Sequence, residues 1–143
     1  MALESERPLR TRDDEILSDG SLSPERGWHD MDVKWLITNA NMGSHKTVVG
    51  RTLFPPGSKH DVHRHPNAEE WEYVISGEGV KVVGDQEFVM RAGDICFCPQ
   101  DVFHGLRNDS SEPLLTIWGY CGAGSLEEAG YELPSDAADG NRT

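Results

Sequence analysis

The sequence predicts an all-β domain, a sandwich or barrel of short strands. Three observations predict it. Runs rich in β-branched and aromatic residues recur along the chain. Clusters of Gly, Pro, Asp and Ser bound these runs at short intervals. No helical pattern separates consecutive runs, as a parallel sheet with crossover helices would require. About nine strands at this spacing suit a sandwich or barrel.

The elements follow in order. VKWLI (33–37) reads as a strand. KTVVGRTLF (46–54) is β-branched and is stopped by Pro55, Pro56 and Gly57. KHDVHRH (59–65) alternates more and less polar positions. WEYVI (71–75) precedes the turn SGEG, VKVV (80–83) precedes GDQ, and EFVMR (87–91) precedes AGD. ICFC (95–98) stops at Pro99. HGLRN (104–108) precedes DSSEP, and LLTIWGY (114–120) closes the set. Only SLEEAGY (125–131) reads as helix, one or two turns long, with Ser125 and Glu128 spaced as a capping box. The folded unit is therefore expected over 28–131. A polar, loosely docked N-terminal arm (1–27) precedes it and a polar C-terminal tail (132–143) follows.

Composition excludes several classes of function. A chain of 143 residues fits one domain and can bury a core without disulfide staples. The net charge of -12 argues against a nucleic-acid partner, because phosphate binding needs a basic patch. An acidic surface also serves solubility. No apolar run approaches the ~20 residues that span a bilayer. MALESERPLRTRDDE at the N-terminus lacks the apolar stretch of a secretory signal, so a cytoplasmic location is expected. The three cysteines, Cys96, Cys98 and Cys121, are odd in number and read as reduced thiols. Cys96 and Cys98 form C-x-C, not the C-x-x-C of redox or zinc sites, and are read as small core residues.

The chemistry concentrates in HRHPNAEEWEYVISGEG (63–79). Side chains alternate along a strand, so an extended 59–65 segment projects His63 and His65 to one side, roughly 7 Å apart. On that rule Asp61 shares their face, while His60 and Arg64 take the other. After the turn at Pro66-Asn67, a carboxylate at the start of the next strand can reach the same point. Neutral imidazoles and an ionised carboxylate suit a divalent transition metal, and a further histidine, His104, follows CFCPQDVF.

These residues resemble the two motifs of the cupin superfamily. The first, G-x5-H-x-H-x3,4-E-x6-G, is matched by Gly57, His63, His65, Glu70 and Gly77. The second, G-x5-P-x-G-x2-H-x3-N, is matched by Gly93, Pro99, His104 and Asn108. Asp101 stands where the second motif has glycine. Asp tolerates left-handed backbone better than most residues. Glu69 fits the shorter spacing of the first motif, but only Glu70 stands seven residues before Gly77, so Glu70 is assigned as the ligand.

The resemblance implies a double-stranded β-helix, or jelly-roll barrel, with one divalent transition metal inside: Fe, Mn, Zn, Ni or Cu. The implied ligands are His63, His65, Glu70 and His104. It also implies a homodimer and a small-molecule substrate. By parity with Glu70, Glu72 faces inward and is the candidate catalytic base. Three neutral histidines and one carboxylate leave a divalent ion with one net positive charge and, if octahedral, two open positions. An enol, hydroxyketone or hydroxy acid can chelate there, drawn by local charge against an acidic surface. The expected function is a metal-dependent dioxygenase or decarboxylase. The alternatives are a non-catalytic ligand-binding cupin or an isomerase, cyclase or lyase.

The remaining polar residues carry blander expectations. His60 is expected to be structural, and His29 and His45 to lie at the surface. Arg51, Arg64 and Arg107 are candidate anchors for a substrate carboxylate, although arginine is more often solvated. Trp71, Tyr73, Phe97, Phe103, Trp118 and Tyr120 are expected to fill the core or a dimer seam.

Overall fold

The computed structural model describes residues 7–138. Residues 1–6 of the expected arm and 139–143 of the expected tail lie outside that range. Among the described residues there are ten strands: β1 (Trp28–His29), β2 (Asp32–Ile37), β3 (Thr47–Phe54), β4 (Lys59–His63), β5 (Glu69–Ser76), β6 (Glu78–Val83), β7 (Gln86–Arg91), β8 (Ile95–Cys98), β9 (His104–Arg107) and β10 (Leu114–Cys121). Three short α-helices accompany them, α1 (Asn39–Met42), α2 (Leu126–Ala129) and α3 (Pro134–Ala138), with single 3-10 turns at Asp13–Glu15 and Pro24–Arg26. The strands form two five-stranded sheets, ordered β1-β4-β9-β6-β7 and β2-β3-β10-β5-β8, with every pairing antiparallel. The two sheets face each other as a jelly roll. One central cavity is lined by His63, Lys81 and His104 from the first sheet and by Thr52, Glu70 and Trp118 from the second.

The alternation read from the sequence sets the inner face. Along β3, Val48, Gly50, Thr52 and Phe54 are buried while the residues between them are not. Two buried clusters border the cavity. One includes Trp28, Val33, Val48, Trp118 and Tyr120; the other includes Phe54, Val74, Met90, Leu106 and Leu114. Asp101 has the left-handed backbone expected of it, with φ 65°. Asn108, the last residue of the second motif, is a buried staple. Its amide donates to the carbonyls of Phe54 and Glu112 at 2.8 Å each.

The flanking segments dock more closely than their composition suggests. Lys34 and Arg51 both pair with Asp13, and the Trp35 indole donates to Asp19 at 2.8 Å. The backbone N–H of Asp19 also reaches the carbonyl of Val33 at 2.8 Å. On the C-terminal side, Arg64 and Glu132 exchange two backbone hydrogen bonds, at 2.9 and 3.0 Å. Arg26 forks onto Asp136. These segments dock through polar bonds, which leave no hydrophobic period to read. Helix α2 has half of the expected capping box: Ser125 Oγ accepts from the Glu128 N–H at 3.0 Å. Helix α1 was not anticipated. Its capping box pairs Thr38 with Asn41, where the motif usually has Glu or Gln.

Gly50 shows how tightly the cavity wall is set. A Cβ there would stand 2.3 Å from the Trp118 ring. The ring cannot give way, because its indole N–H is tied to Thr52 Oγ1 at 2.8 Å. Gly50→Ala should therefore cost about 1–3 kcal/mol through overpacking. Urea unfolding at constant m-value measures this, and an unchanged midpoint would contradict it.

Candidate metal centre

The end of β4, the residues just after it, and the starts of β5 and β9 bring four side chains to one point. One ligand atom each from His63, His65, Glu70 and His104 lies within 4.8 Å of the others, and all four residues are buried. Glu69 points outward and is exposed. Backbone carbonyls set the tautomers. Nδ1–H of His63 donates to Asp61 O at 2.7 Å, that of His65 to Gly130 O at 2.7 Å, and that of His104 to Val102 O at 3.1 Å. A carbonyl only accepts, so each ring carries a proton on Nδ1 and turns Nε2 inward.

Two of the three inward nitrogens lack a protein partner. Nε2 of His63 and of His104 are buried with no hydrogen bond. His65 Nε2 lies 3.1 Å from Glu70 Oε1, and His104 Nε2 lies 3.4 Å from Oε2. Two buried ring nitrogens without a partner, gathered beside an acidic oxygen, fit a cation at the centre of the cluster. Burial, and then the neighbouring His60 ring, hold the His63 pKa well below its usual value, so that imidazole is neutral. Burial would raise the pKa of Glu70. The facing His104 and His65 outweigh it and hold the carboxyl well below its usual value, hence ionised.

His60 departs from the sequence expectation. Alternation puts it on the face opposite His63, yet it lines the same cavity and its ring stacks on His63 at 3.8 Å. The cause is a β-bulge. His60 pairs with Leu106 and His63 with His104, so β4 spends one more residue than β9 between the two pairs. The extra residue reverses the parity. Asp61, expected beside the histidines, instead pairs with His29 at 2.8 Å and Lys59 at 3.5 Å and is partly exposed. His45 is exposed, as expected.

Tyr131 completes this corner. It stacks on His63 with centroids 4.9 Å apart. Its hydroxyl donates to Arg26 O at 2.5 Å and accepts from His60 Nε2 at 3.0 Å. Nothing in its sequence context marked it, because the contact depends on how the C-terminal segment returns across β4.

Glu72 faces inward. Its Oε1 accepts from Lys81 Nζ at 2.7 Å and its Oε2 from Thr116 Oγ1 at 2.8 Å. Lys81 was also not anticipated. Burial would lower its pKa, but Glu72 keeps it well above the usual value, so the ammonium stays charged. Its neighbours Val80 and Val82 face outward, half-buried, which inverts the usual hydrophobic pattern of a strand. None of the three candidate arginines reaches the cavity. Arg51 pairs with Asp13 and Asp32, Arg64 with Glu132 and Asp101, and Arg107 with Glu87 and Asp109. Trp118 and Tyr120 line the cavity, whereas Tyr73 and Phe97 face outward and are exposed. The cavity itself is about 20 Å³, room for a metal ion or about one water.

Cys96 and Cys98 are buried, Cys121 is exposed, and all three are free thiols. Among the described residues no helix is long and apolar enough to cross a membrane.

Comparison with known proteins agrees with this geometry. The profile of the cupin domain matches residues 50–120. The oxalate-binding protein of Thermotoga maritima is 26% identical over 105 residues, spanning 69% of this chain and 87% of that protein. The crystal structure of a predicted oxalate decarboxylase from the same organism superposes with a TM-score of 0.70 at 25% identity, covering 79% of this chain and 98% of that one. Oxalate decarboxylase of Bacillus subtilis is 30% identical over 89 residues, which is 58% of this chain but only 23% of the larger enzyme. A structure of that enzyme, studied for its Mn(II) centres, superposes with a TM-score of 0.69 at 25% identity, over 84% of this chain and 31% of that one. Two facing antiparallel sheets, both sequence motifs in order and the matched domain profile together place this chain in the cupin family.

Proposed function

We propose that the chain is a mononuclear metal-dependent cupin enzyme that decarboxylates or oxidises a small oxygen-rich acid of the oxalate kind. One observation carries the reading: two buried imidazole nitrogens, on His63 and His104, face an ionised Glu70 with no hydrogen-bonding partner. His63, His65, Glu70 and His104 are the assigned ligands. The Mn(II) centres of the Bacillus decarboxylase support manganese, among the metals that imidazole and carboxylate ligands accept. A bound divalent ion would polarise the substrate oxygens it takes. Glu72 is assigned to moving a proton at its carboxylate, since it lines the same cavity. The relatives support an acid of the oxalate kind within the broader class of enols, hydroxyketones and hydroxy acids. The oxalate-binding relative also favours a second reading, in which the barrel binds such an acid without turning it over.

Metal content of purified, manganese-loaded protein tests the ligand set. Wild type should hold one ion per chain, and His63→Ala, Glu70→Ala and His104→Ala should each lose it. Unchanged content in Glu70→Ala and His104→Ala would contradict the assignment. Release of CO₂ and uptake of O₂ with oxalate, glycolate and related acids tests the reaction. Turnover should appear in the loaded protein and fall roughly 10²–10⁴-fold in Glu72→Gln, with its metal retained. Oxalate binding by loaded protein without any turnover would establish the second reading instead.

A homodimer and a reducing, cytoplasmic location belong to the same proposal, the latter supported by the three free thiols. The outer face of β5 and the edge strand β8 exposes Tyr73, Ile75, Ile95 and Phe97 on adjacent, paired strands. A second copy of the chain would bury this patch and protect the edge. Sedimentation at micromolar concentration should give twice the chain mass, and Phe97→Asp should give the monomer. A monomeric wild type would reject the dimer.

A further inference from the structure

Lys81 is the only cationic residue, apart from neutral or metal-facing histidine, among the described residues that line the cavity. It is 1% exposed. A buried ion pair is a poor source of stability, because desolvating two charges offsets their attraction, and an apolar pair of similar volume often serves as well. The walls nearby are apolar, with Phe54, Leu106 and Trp118 lining the same space. Packing therefore gives no reason for a lysine here.

The hydrogen bonds indicate what the lysine lacks. An ammonium group has three N–H donors. Among the described residues, Lys81 Nζ makes one hydrogen bond, to Glu72 Oε1 at 2.7 Å. Glu72 Oε2 is taken by Thr116 at 2.8 Å, so the carboxylate is gripped from both sides and fixes the ammonium at the cavity. Unsatisfied donors on a buried cation are costly unless something fills them. The arginines offer no substitute, since each is paired on the outside of the barrel.

We infer that Lys81 recognises the charge of the ligand. Its spare N–H donors take one oxygen of a small anionic chelator whose other oxygen sits at the His63–His65–Glu70–His104 cluster. This rests on the metal reading above. A divalent ion, two carboxylates and one ammonium leave a single net positive charge in the barrel, which a monoanion neutralises and a neutral chelator does not. The ligand class is a carboxylate with a second oxygen in chelating position, such as an α-hydroxy or α-keto acid or a half-protonated dicarboxylate. The cavity as it stands is about 20 Å³, so beside a metal ion it admits only the smallest such acids, and only with side chains giving way.

Cobalt(II)-loaded protein tests this by its visible spectrum, which reports entry of a ligand to the metal without any turnover. The probes are glycolate and its neutral counterpart hydroxyacetone. Wild type should bind glycolate more tightly than hydroxyacetone. In Lys81→Met the glycolate affinity should fall roughly 10- to 100-fold, the loss of a charged hydrogen bond. Cobalt content and hydroxyacetone affinity should not change. If that variant does not fold, Lys81→Met combined with Glu72→Gln removes the N–H donors while keeping the net charge, and glycolate affinity should still fall, by roughly 10-fold, with hydroxyacetone affinity unchanged. Wild-type glycolate affinity in a cobalt-loaded variant overturns the inference, as does a wild type that binds cobalt but shows no preference for glycolate. A wild type that holds no cobalt overturns the metal reading, and this inference with it.

Discussion

Three imidazoles and a carboxylate are withdrawn from water at the centre of the barrel, and backbone carbonyls decide which way the imidazoles face. Each Nδ1 is tied to a carbonyl, of Asp61, Gly130 or Val102, and each Nε2 is thereby committed to the interior. For His63 and His104 the protein does not supply the inward hydrogen bond that such burial normally demands. A cation among the four groups would supply the missing partners, and the surrounding features hold the four groups in that geometry.

The anchoring carbonyls come from unrelated parts of the chain. Asp61 belongs to β4, within the bulge that also turns His60 inward against His63. Val102 lies in the loop after the left-handed Asp101, whose N–H donates to His65 O at 3.0 Å. Gly130 comes from the C-terminal segment, which is pinned across β4 by the Arg64–Glu132 pairing and stacks Tyr131 on His63. The docked C-terminal segment is thus part of the site's construction. Beyond the ligands, the cavity holds a second polar group, the Lys81–Glu72–Thr116 chain. The barrel interior is therefore divided between the four convergent side chains and a charged wall of Lys81 and Glu72.

Much of this was legible in the sequence. Nine of the ten strands announce themselves by β-branched runs between turn residues. Both motifs are plain text, and they pick out the four residues that the fold brings together. Inward placement of Glu72 followed from alternation alone. The failures share a cause: each depends on a local irregularity or a long-range contact. His60 was misplaced because a bulge carries no hydrophobic signature. Lys81 was overlooked because a lysine between valines reads as the solvent face, whereas here the valines turn outward. Tyr131 and the docked flanks depend on polar contacts between residues far apart in the chain, which no periodicity records.

The central claim is that the four convergent side chains are a metal site. Anomalous diffraction from crystals of manganese-loaded protein tests it most directly. Data collected above and below the manganese absorption edge should show one strong peak per chain, bounded by the Nε2 atoms of His63, His65 and His104 and a carboxylate oxygen of Glu70. A loaded crystal with no peak at that point, or with its metal held by other residues, would contradict the account.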